Sequence, residues 1–139
     1  MNKHLNVLVI EDDEDDALLV KRMLNNNEEG ITFSITHKNR LSQGLNYLEK
    51  NLVDVILLDL SLPDSNGDET IKEVQQKSSN QAPIVVLTGS TLRRDELRAC
   101  MNDANAYLIK NDIDSDSLVK SILRVQESNL FGDTLDFKQ

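Results

Sequence analysis

Short apolar runs that end in a polar residue recur along this chain, and a stripe of apolar residues at helical spacing follows each of them. Val55-Ile56-Leu57-Leu58 is the clearest run: no polar residue interrupts it, it ends in Asp59, and Leu60-Ser61-Leu62-Pro63-Asp64-Ser65-Asn66-Gly67 then turns the chain. An uninterrupted run with Val and Ile suits a parallel strand covered on both faces. Leu5 to Ile10 is a second such run, ending in Glu11-Asp12-Asp13-Glu14-Asp15-Asp16. Pro83 to Leu87 is a third, ending in Thr88 and Gly89, and Ala106 to Ile109 a fourth, ending in Lys110. Ile31, Phe33 and Ile35 alternate with Thr32, Ser34 and Thr36, as in a strand nearer an edge.

The stripes between the runs predict helices. Leu19, Val20, Met23 and Leu24 form the first, opened by acids that suit the positive end of a helix dipole and stopped by Asn25-Asn26-Asn27 and Gly30. Leu41, Leu45, Leu48 and Leu52 form the second, and Ile71 and Val74 mark a short third. A polar fourth is expected from about Leu92 to Asn102, and Leu118, Val119, Ile122, Leu123 and Val125 make the fifth. Strands alternating with helices imply a parallel sheet joined by right-handed crossovers. The expected fold is therefore α/β and flavodoxin-like: a doubly wound five-stranded parallel sheet, order 2-1-3-4-5, with five helices. The expected organisation is one domain over residues 1–128 and a polar C-terminal tail over 129–139, with no internal repeat or linker.

That order puts its switch point, where ligands gather, between strands 1 and 3. Glu11 and Asp12 end one and Asp59 the other. A single acid at a strand end is ordinarily a loop cap, but several acids sharing one crevice repel one another, and their ionised form is costly without a cation. Oxygen ligands of this kind suit a hard divalent ion such as Mg²⁺. Thr88 and Lys110 end strands 4 and 5 and add a hydroxyl and an ammonium to the rim. A cation, an amine and a hydroxyl around one carboxylate are what phosphoryl transfer requires.

Composition trims the alternatives. A net charge of −9 repels phosphates and argues against nucleic-acid binding. No run reaches membrane-span length and no signal peptide is visible, and the single Cys100 makes no internal disulfide, so a cytoplasmic setting is expected. His4 and His37 lack ligand spacing and read as ordinary surface or strand-end residues.

Val-Leu-Val-Ile-Glu-Asp-Asp, Ile-Leu-Leu-Asp-Leu-Ser-Leu-Pro-Asp-Ser-Asn-Gly, Pro-Ile-Val-Val-Leu-Thr-Gly and Tyr-Leu-Ile-Lys together resemble the receiver domain of two-component response regulators, from about Leu5 to Glu127 and in its stand-alone form. The resemblance implies that Asp59 accepts a phosphoryl group from a histidine kinase or phosphotransfer protein. It implies that Glu11 and Asp12, with Asp59 and the backbone carbonyl of Ser61, hold Mg²⁺, with Asp13 placed to help through water. Lys110 would contact the phosphoryl group, Thr88 would move towards it, and Tyr107 would turn inward as Thr88 leaves. No enzymatic activity is implied beyond Mg²⁺-dependent self-phosphorylation and autodephosphorylation. The signal would pass to a downstream protein, through the face of the fourth helix, fifth strand and fifth helix.

Two positions depart from the pattern: Asn111 stands where a cis proline is common, and Asp103 where glycine is usual. A cis bond before a non-proline residue costs roughly 3–4 kcal/mol, so the Lys110–Asn111 bond is expected to be trans, with Asn111-Asp112 turning the chain. Arg93, Arg94, Asp95 and Glu96 make the fourth helix unusually polar. The rivals fare less well. An aspartyl phosphatase with Mg²⁺ usually has a second Asp two residues after the first, where this chain has Ser61. A flavin carrier needs a phosphate loop after strand 1, where acids stand instead. A receiver-like adaptor that is never phosphorylated has no use for the full set of acids, Thr88 and Lys110.

Overall fold

The computed structural model describes residues 3–64, 68–89 and 104–130. The five strands are β1 (Lys3–Ile10), β2 (Ile31–Lys38), β3 (Val55–Asp59), β4 (Ile84–Thr88) and β5 (Ala106–Ile109), all parallel, in the order β2-β1-β3-β4-β5. Four α-helices are described: α1 (Glu14–Asn25), α2 (Leu41–Lys50), α3 (Asp68–Lys77) and α4 (Ser115–Leu130). The doubly wound fold expected from the sequence is therefore the fold observed. The helix expected over Leu92–Asn102, with Arg93, Arg94, Asp95, Glu96 and Cys100 in it, lies outside the described residues, as do Asp103 and residues 131–139. Helix α4 continues to Leu130, past the boundary expected at 128.

Strand burial follows position in the sheet. Every residue of β3 and β4 is buried, as central parallel strands require, whereas edge strand β2 is only partly covered. Side chains alternate between two apolar layers. Val7, Val9, Val55, Leu57, Val85 and Leu87 face one layer, closed by α1 packed on α4; Leu8, Ile10, Ile56, Leu58, Ile84 and Val86 face the other, closed by α2 packed on α3.

Two leucines leave the stripes assigned to them. Helix α1 buries Ala17, Val20 and Leu24, at i, i+3 and i+7, so Val20 and Leu24 of the expected stripe meet the sheet while Leu19, between Ala17 and Val20, is 46% exposed. Helix α2 ends at Lys50, so Leu52 lies beyond it and is 65% exposed. The buried stripe of α2 includes Gly44 instead, where a Cβ would come within 2.5 Å of Ile10 Cδ1. Glycine there lets the helix approach β1 closely. After α1 the Asn27 side chain closes the turn, donating to the carbonyls of Leu24 and Ile31 and accepting from the amide of Glu29.

Candidate functional site

The parallel sheet brings the carboxyl ends of β1, β3, β4 and β5 to one rim. Glu11 and Asp12 follow β1 directly, Asp59 is the last residue of β3, Thr88 the last of β4, and Lys110 follows β5. Glu11, Asp59 and Thr88 are buried, while Asp12 is exposed. Ligand oxygens of Glu11, Asp12 and Asp59 all lie within 4.8 Å of one another. The Lys110 ammonium enters this group, 3.2 Å from Asp59 Oδ2 and paired with Glu11. Its stem runs beside the end of β4, where a Cβ on Gly89 would lie 3.9 Å from Lys110 Cδ.

Local hydrogen bonds fix the acids. The Ser61 amide donates to Asp59 Oδ1 at 2.9 Å, folding the loop back over the carboxylate. The Asp13 amide donates to Glu11 Oε2 at 3.2 Å. The Asp13 carboxylate accepts from the amides of Asp15 and Asp16 and so caps α1, which commits it to the helix rather than to the crevice. The Lys110–Asn111 bond is trans, and one 3₁₀ turn over Lys110–Asp112 redirects the chain.

Burial is the largest influence on Glu11, and the Asp59 carboxylate beside it works in the same direction. Against the pull of Lys110, its carboxyl is pushed up to about 8. Burial works against the charged form of Lys110 too, but its hydrogen bonds to Glu11 and Asp16 and the charge of Asp59 hold it above the ordinary lysine range. The crevice thus holds more negative charge than one ammonium balances. All its charged donors are oxygens, and a small hard divalent cation fits that set.

Tyr107 is half-buried and packs against the α2–α3 layer, and its register partner is Val86. By alternation along β4, Thr88 continues the Val86 face, so Thr88 and Tyr107 stand on the same side of neighbouring strands.

Three contributors escaped the sequence reading. Asp16 reaches Lys110 Nζ at 3.0 Å. His37, at the end of β2, donates its ring Nε2–H to the Glu11 carbonyl at 2.6 Å and braces the turn that carries the acids. Asp64 accepts from the amides of Leu41 and Ser42 at 2.9 and 3.0 Å, capping α2 from the loop that follows Asp59, while Arg40 at the N-cap position supplies no cap of its own. A carboxylate in an acid run, a histidine without ligand spacing and an acid in a turn carry no sequence signal for contacts this distant.

The Asp64 clamp makes a prediction. Burial would raise its carboxyl, but the amides of Leu41 and Ser42 outweigh that and hold it below the usual 3.8. A depressed group stabilises the fold above its unfolded value and loses that contribution as pH falls through the folded one. Asp64→Ala should cost about 1 kcal/mol at pH 7, the worth of a helix cap, and progressively less below pH about 4. Urea unfolding at several pH values measures it; a cost that does not shrink in acid would count against the clamp.

Comparison with known proteins follows the same line. The family model described as the response regulator receiver domain matches residues 7–123. The chain is 36% identical over 80 residues to the nitrate/nitrite response regulator protein NarL of Escherichia coli (strain K12), covering 58% of this chain and 36% of NarL. It is 32% identical over 105 residues to the KDP operon transcriptional regulatory protein KdpE of the same strain, covering 76% of this chain and 44% of KdpE. The chain spans half or less of the length of these curated relatives. Among solved structures, a CheY-like response regulator receiver domain protein from Methanospirillum hungatei JF-1 superposes with TM-score 0.75 at 21% identity, covering 91% of this chain and 97% of that one. The receiver domain of a sensor histidine kinase from Pseudomonas aeruginosa PAO1, which has a magnesium ion coordinated in its active-site cleft, gives TM-score 0.74 at 24% identity, covering 90% and 99%. At these identities the structural likeness speaks for the fold.

Proposed function

Because this chain belongs to the response regulator receiver domain family, we propose that Asp59 is the phosphoacceptor of a two-component phosphorelay. The observation that carries this reading is the Lys110 ammonium 3.2 Å from Asp59 Oδ2, inside a carboxylate cluster of which Glu11 and Asp59 are buried. An Asp59 oxygen attacks the phosphorus of a phosphohistidine on a kinase or phosphotransfer protein. The new bond is carboxyl oxygen to phosphorus, the bond broken is imidazole nitrogen to phosphorus, and the histidine leaves with its electron pair. The Ser61 amide fixes the orientation of the attacking carboxylate, and Lys110 offsets charge on the phosphoryl oxygens. Glu11, Asp12 and Asp59, with the Ser61 carbonyl, would hold Mg²⁺, which when bound supplies further neutralisation of the phosphoryl oxygens. Apart from this self-phosphorylation and the hydrolysis that reverses it, the domain is not an enzyme. The domain works in the cytoplasm and signals to a protein target; no helix among the described residues is long and apolar enough to cross a membrane.

Incubation with acetyl phosphate and Mg²⁺, followed by intact mass measurement, tests the reading. One added phosphoryl group is expected, and none in the presence of a metal chelator. Labelling that ignores the chelator would remove the metal from the mechanism. A chain that takes no phosphoryl group under these conditions, or from any histidine donor, would favour the adaptor reading.

The switch follows from the same site. Phosphorylation biases an equilibrium only by its differential interaction with the two states. A phosphate-mimicking fluoride complex at Asp59 is expected to draw Thr88 towards it and take Tyr107 from half-buried to buried. Ring chemical shifts and solvent accessibility of Tyr107, measured with and without the mimic, check this. An unchanged ring would remove Tyr107 from the switch and leave phosphorylation itself standing.

A further inference from the structure

Lys110 offers one ammonium with three N–H donors, and three carboxylates surround it: Glu11, Asp16 and Asp59. Glu11 and Asp59 belong to the oxygen cluster that fits a divalent cation, and Asp16 does not. The ammonium is only 13% exposed at its side chain, so losing partners there is costly. A cation entering the cluster needs the oxygens of Glu11 and Asp59 that Lys110 holds in its absence. Asp16 stands in the first turn of α1, its amide tied to the Asp13 cap, and its side chain is 39% exposed, so it meets the amine from the solvent side.

We infer that Asp16 is a positioning residue for the metal site: it retains the Lys110 ammonium outside the donor set, so that Glu11 and Asp59 can turn their oxygens to the cation without stranding a buried charge. The inference rests on the Mg²⁺ reading above and names the residue that makes an ammonium and a divalent ion compatible in one crevice. Asp15 supplies the internal control, because it carries the same charge one residue away and, among the described residues, its side chain makes no contact with Lys110.

Titration calorimetry with Mg²⁺ alone decides the matter. Asp16→Asn should weaken Mg²⁺ binding about tenfold, the size expected when one charge-assisted hydrogen bond to a buried ammonium is lost. Asp15→Asn should weaken it by about twofold or less, the effect of one exposed charge. Asp16→Glu, which keeps the carboxylate, should recover most of the affinity. In a Lys110→Met background, where no ammonium needs a partner, Asp16→Asn should do no more than Asp15→Asn. Equal losses in Asp16→Asn and Asp15→Asn would overturn the inference, and so would an excess loss that persists without Lys110. If Lys110→Met does not fold, the Asp15 and Asp16→Glu comparisons still decide. A parent chain that binds no Mg²⁺ overturns the metal reading and this inference with it, whereas a binding parent beside an unaffected Asp16→Asn overturns this inference alone.

Discussion

Asp59→Asn should take up no phosphoryl group from acetyl phosphate and Mg²⁺ under conditions that label the parent chain fully. The expected loss of rate is on the order of a thousandfold or more, because the amide lacks the nucleophilic carboxylate oxygen and no neighbouring acid takes its place. Glu11 is turned to Lys110 and the Asp13 amide, and Asp13 is spent on the α1 cap. The substitution is also close to isosteric and removes one of the charges that crowd Glu11. The variant should therefore fold at least as stably as the metal-free parent, so loss of labelling is not loss of structure. Intact mass and urea unfolding measure the two halves. A variant that still labels would move the acceptor to another residue.

Lys110→Ala should be the most damaging single change to the metal-free fold among the site residues. It leaves Glu11 and Asp59, both buried, without their shared countercharge, and breaking a buried pair in this way costs roughly 3–5 kcal/mol. The cost should depend on pH. Glu11 is raised in the fold, so its contribution is fully present below the unfolded value of 4.5 and is lost as pH rises through about 8. Lys110 pulls the Glu11 carboxyl down, so its loss lifts that carboxyl further, and the variant must keep the Glu11 proton at a pH where the parent has released it. The destabilisation should therefore grow from pH 6 to pH 9, and Mg²⁺ should recover much of it by supplying positive charge to the same oxygens. Urea midpoints across that range decide it. A loss independent of both pH and Mg²⁺ would mean that Lys110 acts through the packing of its stem.

What the sequence disclosed follows from which interactions are local. Apolar runs such as Val55 to Leu58 mark central strands because both faces are covered, and the parallel topology then carries Asp59, Glu11, Thr88 and Lys110 to one rim without any knowledge of contacts. The trans bond at Lys110–Asn111 was legible for a similarly local reason, the cost of the cis form. Leu19 was misplaced because a run such as Ala17-Leu18-Leu19-Val20 offers several stripes and only the sheet selects among them. Leu52 was misplaced because the helical period carries no signal for where α2 stops. Asp16, His37 and Asp64 act on residues 94, 26 and 23 positions away, and no periodicity encodes such pairings.

The Lys110–Asp16 contact also bears on how the chain comes off the ribosome. Glu11, Asp12, Asp16 and Asp59 are all synthesised before the residue that neutralises them, and β5, which completes the sheet, ends just where Lys110 begins. A nascent chain holding β1 to β4 therefore carries its crowded acids bare, with the sheet open along β4. The last strand closes that edge and delivers the missing positive charge in one event. The sheet is thus completed at its chemistry, with α4 still to close the layer it shares with α1, and a chain cut short before Lys110 lacks that helix, exposes an edge strand and keeps its charge unbalanced.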